Sequence, residues 1–360
     1  MQSDDYKIKI LSLNGGGVRG LFTISVLAEI ERIIEDKTGA TNVRVGDYFD
    51  LITGTSIGGI LALALACGKS ARELEIVFRE KAPLIFPKRN RLCTLIKTAF
   101  GALYSSEPLK NTVESMIGDS VTFNDLERRV MIPAVNLSTG KPQFFKTPYN
   151  PQFNRDGRLK LIDAAMATSA APTYFSPHYC ADLSSYFADG GLIANNPSFI
   201  GLLEVFLDMR SDFPEAKMDD IHILNIGTLG EEYTVSPSSL ESKDSRWKGG
   251  YLGLWGMGKR LVLATMAANQ ILHKNMLIRE LRTRGNQENY IYLDDTVPNE
   301  AASDITLDNA SESSLKNLAS RGQQLATEQY TTNTNLQRFF TQPAKPFIRK
   351  SLEIARGVEL

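Results

Sequence analysis

Twice within the first 66 residues, a short apolar run stops at a glycine-rich turn and gives way to apolar residues at helical spacing. Tyr6–Leu13 (YKIKILSL) ends at Asn14-Gly15-Gly16-Gly17 and is followed by a helical pattern over Leu21–Ile34. Asp50–Thr53 ends at Gly54-Thr55-Ser56-Ile57-Gly58 and leads into the Ala/Leu-rich stretch Ile60–Ala66. A strand that is apolar on both faces must be covered on both sides, and a helix after each strand brings the next one in parallel. Further along, Val130–Leu137, the turn Ser138-Thr139-Gly140 and Gln143–Lys146 read as a hairpin. Leu161–Ser169 reads as a helix, Tyr186–Ala188 as a short strand, Phe199–Met209 as an amphipathic helix, and Ile221–Ile226 and Tyr290–Leu293 as strands. These elements predict an α/β fold with a central, mostly parallel sheet flanked by helices on both faces. Residues 1–300 form the main domain in this reading, and the polar, helical stretch 301–360 is an extension packed on it.

Composition narrows the partners. Lys and Arg number 40 against 41 Asp and Glu, a net charge of −1, so the chain lacks the basic excess of a duplex nucleic-acid binder. Cys67, Cys93 and Cys180 are too few and too scattered for a disulfide framework or a zinc site, and no metal is expected. The start Met1-Gln2-Ser3-Asp4-Asp5 has neither the basic nor the apolar part of a signal peptide. The longest apolar run, Ile57–Gly68, falls short of the ~20 residues of a membrane span. A cytoplasmic protein that meets a membrane only at its surface is expected.

Gly54-x-Ser56-x-Gly58, set between a strand and a helix, has the context of a nucleophile elbow. A nucleophile on so sharp a turn holds strained backbone angles, and glycines on either side relieve the crowding. The helix behind it offers its positive end to a developing oxyanion. Asn14-Gly15-Gly16-Gly17-Val18-Arg19-Gly20 presents backbone N–H groups between a strand and a helix. Read with Ser56, it supplies an oxyanion hole with Gly16 and Gly17 as donors, and Arg19 braces the loop or neutralises charge. The same residues fit a dinucleotide fingerprint, Gly15-x-Gly17-x-x-Gly20, but the acidic strand end that fingerprint wants falls within a helix here. Asp189-Gly190-Gly191 places a carboxylate at a strand end, freed by glycines to approach another backbone. A serine hydroxyl needs a base. The three histidines, His178, His222 and His273, include no clear post-strand base, which favours Asp189 acting directly with a raised pKa. A Ser–Asp–His triad through His222 or His273 and a non-catalytic nucleotide-binding module stay open beside it.

NGGGVRG, GTSIG, ATSAAPTYFSP and ADGG, in this order between Asn14 and Gly191, resemble the patatin-like phospholipases, as does LNIGT at Leu224–Thr228. The resemblance implies the patatin-like fold and a Ser–Asp dyad that releases free fatty acid and lysophospholipid without a cofactor. By motif match Ser56 is the nucleophile and Asp189 the general base. Gly15, Gly16, Gly17 and Arg19 form the oxyanion loop, Gly54 and Gly58 flank the elbow, and Gly190 and Gly191 complete the Asp-Gly-Gly motif. Asn14 departs from the Asp that many relatives carry. The wording NGGGVRGLFTI with GTSIGGI is similar to a bacterial subgroup, the cyclic-dinucleotide-activated phospholipases of antiphage defence. That subgroup implies a cyclic GMP–AMP (cGAMP) activator made by a partner nucleotidyltransferase. The activator then reorganises the mouth of the site or assembles protomers into a homo-oligomer.

Two segments read as surfaces. Leu92, Leu95, Ile96, Ala99, Phe100 and Leu103 form an apolar helical stripe after Pro83-Leu84-Ile85-Phe86-Pro87 and the basic Lys88, Arg89 and Arg91. It suits either the core or an anionic bilayer, as does the Gly-rich Gly249–Gly258 loop with Tyr251 and Trp255. For a nucleotide activator, Arg246-Trp247-Lys248 offers cations and a stacking face within three residues, and Arg279, Arg282 and Arg284 form a second basic cluster.

Overall fold

The computed structural model describes residues 6–88, 101–150, 152–153, 155–230, 254–296 and 305–347. Within them an eight-stranded mixed sheet runs in the order β5-β6-β3-β2-β1-β7-β8, with β4 paired to β3. The strands are β1 (Ile8–Leu13), β2 (Leu51–Gly54), β3 (Arg129–Asn136), β4 (Lys141–Lys146), β5 (His178–Cys180), β6 (Ser185–Asp189), β7 (Ile221–Ile226) and β8 (Tyr290–Leu293). The pairs β1–β2, β1–β7, β2–β3 and β7–β8 are parallel, whereas β3–β4, β3–β6 and β5–β6 are antiparallel.

Side-chain alternation divides the core into two layers. Ile8, Ile10, Leu51, Ile221 and Ile223 belong to one buried cluster, and Leu11, Leu13, Ile52, Leu224 and Ile226 belong to the other. The first layer is closed by α7 (Ser198–Leu203), which follows the one-turn α6 (Gly191–Ala194), and by α8 (Lys259–Arg284); α7 and α8 contribute Leu202, Leu277 and Leu281. The second is closed by α1 (Gly20–Thr38), α2 (Ile57–Ala66), α3 (Ala71–Ile85) and α4 (Glu107–Ile117). Helix α9 (Glu312–Thr332) lies against α1 on that same side: a Cβ on Gly322 would stand 2.6 Å from the Phe22 carbonyl oxygen. After the short α10 (Thr334–Arg338), Phe339 and Phe340 pack against Phe49.

One expected helix is modified. Over Phe199–Met209 the α-helical α7 stops at Leu203, and Glu204–Asp208 winds as a π-helix. The buried Glu204 carboxylate there accepts from Tyr149 Oη at 2.5 Å and from Lys146 Nζ at 2.6 Å, ties that hold this turn to β4 and its following loop. Of the apolar stripe, Leu92, Leu95, Ile96, Ala99 and Phe100 lie outside the described residues, and Leu103 is buried. Arg246, Trp247 and Lys248 also lie outside them, as do the first residues of the 249–258 loop.

The topology itself creates a meeting point. Leu13 is in register with both Gly54 and Ile226, so β1, β2 and β7 end level and their following loops form one rim. β4 covers one edge of β3 over Met131–Asn136. The opposite edge is shared: β2 pairs with Arg129–Met131 running parallel, and β6 pairs with Ala134–Asn136 running antiparallel. The carboxyl ends of β2 and β6 therefore face each other across Ile132 and Pro133. Proline lacks an N–H, and this gap between two strand ends is where a ladder can spare one.

Candidate active site

Ser56 follows β2 at that gap with φ +55° and ψ −124°, a left-handed conformation that few non-glycine residues adopt. The turn is possible because its neighbours are glycine. A Cβ on Gly54 would stand 2.0 Å from the Gly58 carbonyl oxygen, and one on Gly58 would stand 2.4 Å from that of Leu13. Helix α2 begins at the next residue, so its positive end lies beside the hydroxyl. Ser56 is 8% exposed.

Asp189 ends β6 and is fully buried. Its Oδ1 accepts from the Gly191 N–H at 2.6 Å, while Oδ2 has no hydrogen-bond partner among the described residues. Burial pushes its pKa from 3.8 up to about 7; the Gly191 N–H and the nearby Ser56 hydroxyl pull the other way. The Ser56 hydroxyl thus sits close enough to influence the carboxyl without completing a hydrogen bond to it. Gly190 is required by the close approach to β3, since a Cβ there would lie 2.1 Å from the Pro133 carbonyl oxygen.

Thr168, within the ATSAAP stretch after α5 (Leu161–Thr168) begins, ties the two halves together. Its Oγ1 accepts from the Ser56 N–H at 3.1 Å and donates to the Pro133 carbonyl at 2.6 Å. Its carbonyl accepts from Gly190 N–H at 3.2 Å, and that of Ala170 accepts from Asp189 N–H at 3.0 Å. The ATSAAP motif carries no local signal of this role for Thr168.

The glycine loop lies on the same rim. Gly15 N–H donates to the Asn195 carbonyl at 3.0 Å, so it holds the loop in place. The N–H groups of Gly16 and Gly17 have no acceptor among the described residues. Neither residue tolerates a side chain: a Cβ on Gly16 would meet Thr228 at 2.4 Å, and one on Gly17, at φ +57°, would meet the Leu307 carbonyl oxygen at 2.3 Å. Arg19 points away toward the loop after β7, where its guanidinium approaches the Leu229 carbonyl at 3.5 Å. Desolvation lowers its pKa and Asp294 opposes the shift, which makes Arg19 a brace between two loops. Asn14 Oδ1 accepts from Asn225 Nδ2 at 2.8 Å, and its own Nδ2 is buried without a partner among the described residues.

Ser56, Asp189 and Gly17 line one cleft of about 510 Å³, counting its open mouth. The rest of its wall is almost wholly apolar, with Ile60, Phe78, Phe86, Leu109, Phe175 and Met266 among its members. None of the three histidines lines it. His178 is bonded to Asp163 at 2.9 Å on β5, His222 sits near the amino end of β7 against Phe339, and His273 lies half-buried on α8. Met266 and Leu307 come from distant parts of the chain and carry no local signal.

A family model for patatin-like phospholipases matches residues 11–200, the span that holds the elbow, the glycine loop and the Asp-Gly-Gly turn. The chain belongs to the patatin-like phospholipase family. A cGAMP-activated phospholipase of Vibrio cholerae serotype O1 is 67% identical over 347 residues, which is 95% of this chain and 96% of that one. A second cGAMP-activated phospholipase, from Escherichia coli strain TW11681, is 66% identical over 350 residues and covers 97% of both chains. Among solved structures, human GIVD cytosolic phospholipase A2 aligns with 95% of this chain and 61% of its own at 11% identity and a TM-score of 0.41. The patatin-like phospholipase is thus an enzyme of mixed, mostly parallel α/β architecture, and among its described residues no helix is long and apolar enough to cross a membrane.

Proposed function

We propose that this patatin-like phospholipase cleaves membrane phospholipids through a Ser56–Asp189 dyad and is switched on by a cyclic dinucleotide. The observation that carries the dyad is a strained serine and a fully buried aspartate in one apolar cleft that no histidine lines. An aspartate at its ordinary pKa is too weak a base near neutral pH, whereas one pushed up to about 7 is matched to the task. Ser56 Oγ attacks the ester carbonyl carbon while Asp189 takes its proton. The N–H groups of Gly16 and Gly17, with the amino end of α2, hold the oxyanion. Protonated Asp189 then gives its proton to the departing lysophospholipid oxygen, leaving an acyl-serine. Water attacks the acyl-serine with Asp189 again as base, and the fatty acid leaves. The apolar wall of the cleft accommodates an acyl chain without organic cofactor or metal. Gly15 and Arg19 serve by fixing the loop that carries the donors.

The activator is read from the names of the two relatives above and their identity over nearly the whole chain. A partner nucleotidyltransferase supplies the nucleotide in this reading. The enzyme is cytoplasmic, works in peripheral contact with the inner membrane, and is open to homo-oligomer formation on activation. Residues 1–300 act as the catalytic domain with 301–360 as its helical extension, and Arg246, Trp247 and Lys248 are the candidate nucleotide contacts. The test is fatty-acid release from phosphatidylethanolamine–phosphatidylglycerol vesicles by wild type and Ser56→Ala, with and without a panel of cyclic dinucleotides. Release that needs both Ser56 and one nucleotide is expected. Release that survives Ser56→Ala refutes the mechanism, and full release without nucleotide refutes the gating.

A further inference from the structure

Helix α8 touches both halves of the site with one face. Met266, Asn269, Gln270 and His273 recur at i, i+3, i+4 and i+7, the spacing of a single helical stripe. Asn269 is used at both ends of its amide: Oδ1 accepts from the Asn195 N–H at 2.8 Å, and Nδ2 donates to the Gly191 carbonyl at 2.6 Å. Gln270, buried, accepts from Asn195 Nδ2 through Oε1 at 2.5 Å.

Each contact leads directly to a group at the reacting centre. Asn195 takes the Gly15 N–H on its carbonyl, and its Nδ2 approaches the Gly15 carbonyl at 3.4 Å, so its position sets that of the Gly16 and Gly17 donors. Gly191, held through its carbonyl by Asn269, presents its N–H to Asp189 Oδ1. The junction has little redundancy. Asn195 Oδ1 and Gln270 Nε2 are both buried without partners among the described residues, so the Asn195 side chain depends on Gln270 Oε1 and the long contact to Gly15.

We infer that Asn269 and Gln270 are positioning residues that set the spacing between the oxyanion donors and the base by fastening both loops to α8. The inference rests on the Ser56–Asp189 reading and deepens it. The two residues have separable effects. Asn269 governs the Gly191 N–H that favours ionised Asp189, so its loss raises the pKa of the base. Gln270 reaches only the oxyanion side, so its loss leaves the base unchanged.

The experiment measures kcat, KM and the pH dependence of kcat for p-nitrophenyl butyrate hydrolysis by the full chain with cGAMP present. Asn269→Ala, Gln270→Met, Asp189→Asn and the exposed control Asn275→Ala are compared with wild type. Asn269→Ala is expected to lower kcat about 10- to 100-fold with KM within about threefold, the scale of a misplaced reacting group. Its pH midpoint moves above the wild-type value. Gln270→Met lowers kcat at an unmoved midpoint, and Asn275→Ala matches wild type. A loss confined to KM, or wild-type kcat and midpoint in Asn269→Ala, overturns the inference. Should Asn269→Ala fail to fold, wild-type kcat in Gln270→Met overturns it instead. Wild-type activity in Asp189→Asn defeats the dyad itself, whereas an inactive Asp189→Asn beside a normal Asn269→Ala defeats only the positioning role.

Discussion

Replacing Asp189 by Asn should abolish hydrolysis and, at alkaline pH, make the protein more stable. The carboxyl is fully buried and its pKa is pushed from 3.8 to about 7. The folded state therefore binds the proton more tightly than the unfolded chain does. Stability is undiminished below pH 3.8, falls as the pH rises toward about 7, and is constant above that. A difference of roughly 3 pKa units corresponds to roughly 4 kcal/mol, of which roughly 3 kcal/mol develops between pH 5 and pH 8.5. The Asn side chain keeps an oxygen for the Gly191 N–H and has no charge to desolvate. Urea unfolding of wild type and Asp189→Asn at both pH values isolates this term, because any difference in packing between the side chains is common to both conditions. The variant should gain about 3 kcal/mol relative to wild type on going from pH 5 to pH 8.5. Activity of wild type should rise with pH through about 7, the opposite sense to its stability, since the ionised form is the base. A stability difference that does not change with pH refutes the buried, raised carboxyl on which the mechanism depends.

Three other substitutions probe the frame. Thr168→Val keeps the shape but removes the hydroxyl between the Ser56 N–H and the Pro133 carbonyl, leaving two buried groups unpaired. It should cost about 1–3 kcal/mol in a thermal or urea melt and lower kcat more than it raises KM. His222→Ala and His273→Ala, made singly, should keep activity within a few-fold of wild type in the vesicle assay, because neither ring lines the cleft. A loss of 10³-fold or more in either would restore the triad reading.

Much of the frame was legible in the sequence because local chemistry and global topology agree there. Glycine at 54, 58, 190 and 16 is demanded by backbone or side-chain approaches of 2.0–2.4 Å, so the motif spacing is itself a statement of geometry. β1 and β7 are apolar on both faces because two helical layers cover them. The less legible parts depend on long-range packing. Gly15 belongs to the oxyanion loop by motif, but only the fold shows that its N–H is taken by Asn195, a residue 180 positions away. Arg19 fits either a loop brace or a charge neutraliser by sequence, and only the fold shows that Leu229 and Asp294, distant in sequence, draw it off the cleft. Helix α8 carries exposed Leu261, Leu272 and Met276 as well as buried Val262, Met266 and Leu277, so apolar periodicity does not mark its working face. β5, three residues long, is too short to stand out from a loop. Leu307 reaches Gly17 and Val18 from beyond residue 300, so the stretch read as an extension also shapes the cleft.

The most direct test of the Ser56–Asp189 dyad is covalent labelling by a fluorophosphonate, read by mass spectrometry across pH 5 to 9 in wild type, Ser56→Ala and Asp189→Asn. The account predicts one modified residue, Ser56, labelled at a rate that climbs with pH to a plateau above about 7 and that collapses in Asp189→Asn. Equal labelling of Ser56 in wild type and Asp189→Asn would contradict it, as would modification of a different serine.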